Sequence, residues 1–224
     1  GSFLSAIIWI VAQTKTAISA IVSQHFGANR IHAVKTLVPQ AIYFNLLFSV
    51  VIYGVTAVFA EAIFSAYNAE GLILQYSQEY YKIRALGYPL TLMTFAIFGV
   101  FRGLQNTLWA MKCSITGAIL NVILDYLFVY GVEGWIPAMH LEGAAYASLI
   151  AQAVMLIMAL WFFFRKTPFH LNLSLNINPR LKGLLIMAAH LFVRTAALNF
   201  AIYLANAYAT GYGKNYIAAQ SILM

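Results

Sequence analysis

The chain has 224 residues, of which 62% are hydrophobic and 8% charged, with a formal net charge of +7. Ordinary soluble domains carry roughly 25% charged residues, so composition excludes a water-soluble globular domain and makes lipid the natural solvent. The basic residues fall in short gaps between apolar runs rather than on one polar face, which excludes nucleic-acid recognition.

A helix needs about 20 mostly apolar residues to cross a bilayer. Six runs qualify, near 3–26, 36–60, 83–101, 113–131, 143–164 and 183–209, and a seventh begins near 216. These runs are apolar all round, whereas strands of a membrane barrel alternate apolar and polar residues. Helices are therefore predicted throughout, giving an all-α polytopic membrane protein. "GSFLSAIIWIVAQ" opens inside an apolar run and "AAQSILM" closes inside another, so a piece of a longer chain is expected.

The first run contains Lys15 within "VAQTKTAISA", beside Gln13, Thr14 and Thr16. Two readings fit: a polar patch lining a cavity, or a lysine that snorkels to the interface. In the third run, Pro89 should kink the helix because it lacks an N–H and its ring crowds the preceding turn. Gly99 and Gly103 in "GVFRG", like the small residues of "GAAYAS" (143–148), allow close helix approach. Cys113 is the only cysteine, so there is no intrachain disulfide framework; its place at the edge of an apolar run reads as a small buried hydrophobe.

The fourth run holds Asp125, the only aspartate in the chain. Asn121 precedes it by about one turn, so both side chains fall on one helix face, and Gly117 leaves room one turn further back. At 1.5 Å per residue, Asp125 lies roughly 9 Å from the end of the run near Gly131. Ionisable side chains at such depth normally face a bundle interior or a water-filled cavity. Burial disfavours a charged carboxylate and a hydrogen bond to the charged form favours it. A carboxylate balanced between the two exchanges protons, and with the Asn121 oxygen it offers ligands to Na⁺. The alternative is an ion pair with Lys15 or Arg194 that merely staples helices. Tyr126 and Tyr130 neighbour Asp125 in sequence and are candidates to line the same space.

The longest polar segment, 165–182, divides five spans from the sixth. It reads as a linker between lobes, with one lobe at 1–164 and the start of another at 183–224. Arg194 lies in the sixth run with His190 one turn before it and Thr195 and Asn199 nearby, a polar stripe suited to helix packing or lobe contact.

Loop charge sets orientation. Arg30, Lys35, Arg102, Lys112, Arg165, Lys166, Arg180 and Lys182 fall in the first, third and fifth loops, while Lys82, Arg84 and Lys214 fall on the other side with all five glutamates. The first, third and fifth loops are thus expected in the cytoplasm, which makes the glycosylation-like "NLS" at 172–174 idle. No HExxH or GxSxG motif is present, and no Cys/His group has metal-ligand spacing. A single aspartate excludes a two-aspartate membrane protease within this segment.

"SQHFGANR" (23–30), "FRGLQNT" (101–107), "LNVILDYLFVYG" (120–131) and "LEGAAYASLIAQ" (141–152), in this order and spacing, resemble the amino-terminal half of a MATE (multidrug and toxic compound extrusion) transporter of the MOP superfamily. The resemblance implies a helical bundle with the amino-terminal lobe nearly complete, the six spans matching family helices two to seven and the cut end matching helix eight. It implies a multi-pass protein of the inner or plasma membrane, working as a monomer, that exports drugs or organic cations by alternating access. The export would be coupled to H⁺ ahead of Na⁺, with no other cofactor and no enzymatic activity. In the DinF-like branch an Asn-x-x-x-Asp pair lies in the amino-terminal cavity; Asn121 and Asp125 match it, and Ser148 matches the hydroxyl residue of the same site. Tyr126, Tyr130, Lys15 and Arg194 are the tentative cavity residues. Where the family pattern reads Arg-Gly-x-Gly-Asp-Thr, this chain has Arg102-Gly103-Leu104-Gln105-Asn106-Thr107. Two other functions compete: a lipid-linked saccharide flippase of the same superfamily, for which Lys15 and Arg194 would be suited, and a non-transporting membrane subunit.

Overall fold

The computed structural model describes residues 13–60, 71–131, 137–171 and 176–211. Outside them lie the start of the first run, Glu61, Glu70, Glu133, the 172–174 stretch, Lys214 and the apolar start near 216. The described residues form helices, with no strand among them: α1 Gln13–Gly27, α2 Leu37–Val58, α3 Gly71–Ala85, α4 Gly87–Gly103, α5 Leu108–Tyr130, α6 His140–Lys166 and α7 Arg180–Gly211, with a 3₁₀ turn at Ile31–Val34. Five stretches are long and apolar enough to cross a membrane: Ile31–Val58, Gln78–Gly103, Leu108–Tyr130, His140–Lys166 and Arg180–Ala201.

The expected kink in the third run is a break between α3 and α4 at Leu86. Its cause is Pro89. With no N–H it cannot bond the carbonyl of Ala85, and its ring crowds that same carbonyl.

α4 is the hub, packing against α1, α2 and α6, with smaller contacts to α3 and α5. Its small residues make this possible. A Cβ on Gly99 would stand 2.6 Å from the Lys15 carbonyl oxygen, and one on Gly103 would stand 2.6 Å from Val22 Cβ. Ile18, Val22, Ile42, Ile97, Val100 and Phe101 form the core at this crossing. Some buried hydroxyls on these helices bond back to the preceding turn, as Thr94 Oγ1 does to the Leu90 carbonyl at 2.8 Å, and so cost little in an apolar interior, whereas the buried Thr91 Oγ1 on α4 finds no partner among the described residues. Between helices, Thr14 Oγ1 donates to Asn45 Oδ1 at 2.6 Å. Cys113 is fully buried in this core.

The other main pairing joins α5 to α6. A Cβ on Gly143 would lie 2.5 Å from the Phe128 carbonyl oxygen, and one on Gly117 would lie 3.2 Å from Met155 Sδ. The outward face of α5 exposes Ile115, Ile119, Val122 and Tyr126. Such a stripe of apolar side chains suits contact with lipid.

α1 and α4 end alike. Asn29 (φ 55°) and Gln105 (φ 57°) take the left-handed conformation. In each case the next residue's N–H reaches back five positions, Arg30 to His25 O at 2.8 Å and Asn106 to Phe101 O at 3.0 Å. This is the Schellman closure, where glycine is usual.

Candidate functional site

A cavity of about 280 Å³ lies between α3–α4 on one side and α5 and α6 on the other. Its polar lining comes from Arg84, Ser114, Asn121, Ser148 and Gln152. Helical spacing explains the set. At 100° per residue, Ser114, Gly117, Asn121 and Asp125 share one side of α5, while Ser148 and Gln152 lie one turn apart on α6. The α4 wall is aromatic, made of Phe95 and Phe98.

Asn121 Nδ2 donates to Ser148 Oγ at 3.4 Å, a long contact that ties α5 to α6 within one wall of the cavity. Asn121 and Asp125 share a face as expected, but the amide is directed at Ser148 and not at the carboxylate. Asp125 is half-buried. Its Oδ1 is shielded from solvent and has no hydrogen-bond partner. Gln152 Oε1 is likewise buried without a partner, packed so closely on Gly87 that a Cβ there would collide with it. Buried acceptors of this kind cost free energy until a donor reaches them. Gln152 belongs to the cavity lining, whereas Asp125 is not among the lining residues and stands one turn beyond Asn121 on the same side of α5; both oxygens can accept a proton, a cation or a donor group.

Lys15 is not joined to Asp125 by an ion pair. Its ammonium lies over the rings of Phe95 and Phe98, at 5.1 and 6.0 Å from their centroids. It therefore touches the cavity's aromatic wall from α1, held by attraction to the ring faces. Tyr126 and Tyr130 do not line this cavity. They belong to the exposed stripe of α5, 67% and 73% exposed, and pack on each other with ring centroids 5.6 Å apart. Adjacent positions on a helix point about 100° apart, so a neighbour of Asp125 in sequence faces elsewhere. Arg194 is exposed on α7 and is not among the residues lining the cavity. Its neighbour Asn199 bonds its own helix, Nδ2 donating to the Thr195 carbonyl at 2.8 Å.

Gln152 and Arg84 escaped the sequence reading. For Gln152 the signal was available: Ser148-x-x-x-Gln152 repeats on α6 the polar spacing of Asn121-x-x-x-Asp125 on α5. Arg84 looked like an interfacial loop charge; the break at Leu86 is what brings the end of α3 beside the cavity.

The family model described as MatE matches residues 1–127. Protein DETOXIFICATION 43 of Arabidopsis thaliana is 31% identical over 159 residues, covering 68% of this chain and 28% of that protein. The multidrug export protein MepA of Staphylococcus saprophyticus is 23% identical over 205 residues, covering 90% of this chain and 44% of its own length. Among solved structures, the inward-facing conformation of a multidrug resistance MATE family transporter of the MOP superfamily superposes with a TM-score of 0.78 at 22% identity, over 96% of this chain and 49% of that one. The chain thus spans half or less of the length of the proteins it matches.

Proposed function

The chain belongs to the MatE family, and from that premise we propose that it serves a secondary antiporter exporting drugs or organic cations by alternating access, coupled to H⁺ through Asp125. It is a multi-pass membrane protein with the all-helical fold of the MOP superfamily. The observation that carries the proposal is the unpartnered, buried Oδ1 of Asp125, one turn from the Asn121–Ser148 contact that joins α5 and α6 in the cavity wall. When Asp125 is ionised, its free oxygen and that of Gln152 attract a cationic substrate. When Asp125 takes up a proton, the charge is removed and the new O–H seeks an acceptor. Substrate and proton then compete for one site, and the exchange of hydrogen bonds between α5 and α6 favours one access state over the other.

The Asn-x-x-x-Asp spacing supports the DinF-like branch, as does the lack of Asp and Glu in α7. In this reading the helices correspond to family helices two to seven, 165–182 is the cytoplasmic connection between lobes, and 183–224 opens the second lobe. The test is Asp125→Asn in the intact protein. Efflux of a fluorescent organic cation driven by a pH gradient should collapse at unchanged expression; undiminished efflux would sink the assignment. Replacing the H⁺ gradient by a Na⁺ gradient separates the two coupling ions.

A second reading, a lipid-linked saccharide flippase, is favoured by Arg84 in the cavity lining and Lys15 on its aromatic wall. Binding of a polyprenyl pyrophosphate in preference to organic cations would establish it over the first.

A further inference from the structure

A second cavity, of about 260 Å³, opens at the end of the bundle where the loops after α1, α4 and α6 meet. Its walls are largely apolar, including Phe26, Phe101 and Leu104. Asn29, Asn106 and Lys166 add polar groups at the rim. Trp109, in the first turn of α5, is its centrepiece. One part of the indole packs on Phe162 with centroids 4.4 Å apart. Two ammonium groups lie near the same ring, Lys166 Nζ, which lines the cavity, at 5.5 Å from its centroid and Lys112 Nζ, which is not among the lining residues, at 4.8 Å.

Attraction to the ring face holds both cations in place, yet they repel each other, and no described carboxylate pairs with either. An anion seated between them would relieve that repulsion. The surroundings choose among anions. Tryptophan beside lysine at a helix end marks the border between hydrocarbon and headgroups. This is also the end that the positive-inside rule assigns to the cytoplasm, where the leaflet carries anionic lipid. An apolar wall beneath a paired cation suits an acyl chain attached to a phosphate far better than it suits a free, fully hydrated ion.

We propose that this cavity binds an anionic phospholipid, its phosphate drawn to Lys166 at the rim and to Lys112 on the same Trp109 ring, and its glycerol and upper acyl carbons against Phe26, Phe101 and Leu104. The site lies at the end of the bundle, away from the cavity lined by Asn121 and Ser148, and stands independently of the transport reading. A lipid there would clamp the loops that follow α1, α4 and α6.

Native mass spectrometry of the intact protein tests this, using micelles doped with equal amounts of phosphatidylglycerol and phosphatidylcholine. Phosphatidylglycerol should be retained preferentially, and its retention should fall as NaCl is raised while that of phosphatidylcholine does not. Lys112→Gln and Lys166→Gln should each weaken the preference about fivefold, the effect of roughly one surface lysine on anionic-lipid attraction. Lys82→Gln, an exposed lysine on α3, should leave it unchanged. Equal retention of the two lipids, or a preference that survives the double substitution, overturns the proposal. Displacement of phosphatidylglycerol by millimolar inorganic phosphate also overturns it, by making the site one for a free anion. Should the double variant fail to fold, the salt dependence in the unaltered protein decides.

Discussion

α4 and α5 follow one another in the chain, joined through residues 104–107, yet they carry opposite loads. In the span that includes α4, 61% of the apolar window is buried; in α5 only 11% is. α4 buries side chains around most of its circumference and has no Asp, Glu, His or Lys, its one charged residue being Arg102 in the last turn. α5 buries only Cys113 and Gly117. Its remaining surface is split into an exposed apolar stripe and, about a third of a turn away, the polar stripe of Ser114, Asn121 and Asp125. A helix whose residues are consumed by packing has none to spare for chemistry. The helix at the margin has room for an uncompensated carboxylate.

That contrast can be broken first at the α1–α4 crossing. Gly99→Val places methyl groups where the Lys15 carbonyl already stands, and should destabilise the fold by about 3 kcal/mol. A clear drop in the unfolding temperature of the protein in detergent is expected, and an unchanged melt would show that α4 is less tightly held than described. On α5 the sign should reverse. Asp125→Leu removes a buried oxygen with no partner and should raise stability by about 1 kcal/mol while abolishing proton-driven efflux. A destabilised variant would reveal a partner for the carboxylate. Ser148→Ala deletes a long hydrogen bond from Asn121 and should cost about 0.5 kcal/mol, seen as a small melting shift with a weakened apparent affinity for exported cation. Equal in size but opposite in sign, Gln105→Gly at the joint between the two helices replaces a left-handed glutamine (φ 57°) by the residue that tolerates it. A gain of about 0.5 kcal/mol in the melting experiment is expected.

The spans were legible because lipid imposes its thickness on the chain. Leu37–Val58, Leu108–Tyr130 and His140–Lys166 fall within a few residues of the runs at 36–60, 113–131 and 143–164. α5 starts earlier than its apolar run because Lys112 belongs to the first turns of the helix, where a long polar side chain reaches the interface. Pro89 announced the break at Leu86, and Gly99, Gly103 and Gly143 announced close helix crossings. Partners were legible only where the family resemblance supplied one, as it did Ser148 beside Asn121. Periodicity tells which residues share a face of one helix, and so placed Asn121 with Asp125. Which side chain on another helix meets them depends on crossing geometry, which directed Asn121 to Ser148 and Lys15 to two phenylalanine rings. Tyr126 shows the same limit: adjacency along the chain is no guide to facing direction. Gln105 and Asn106, which depart from the family's Gly-Asp, sit in a corner whose backbone closes in the glycine-like manner regardless.

The break at Leu86 has a mechanical meaning. Because Pro89 has no hydrogen to give, the Ala85 carbonyl lacks its helical donor, and α3 and α4 are not stitched together by a continuous ladder. Bending there costs less than bending an unbroken helix. Gly87 lies at this articulation against Gln152, and Arg84 stands just before it. The wall of the cavity on that side is a jointed lever rather than a rod. Its short arm carries the positive charge, and its long arm is anchored in the core.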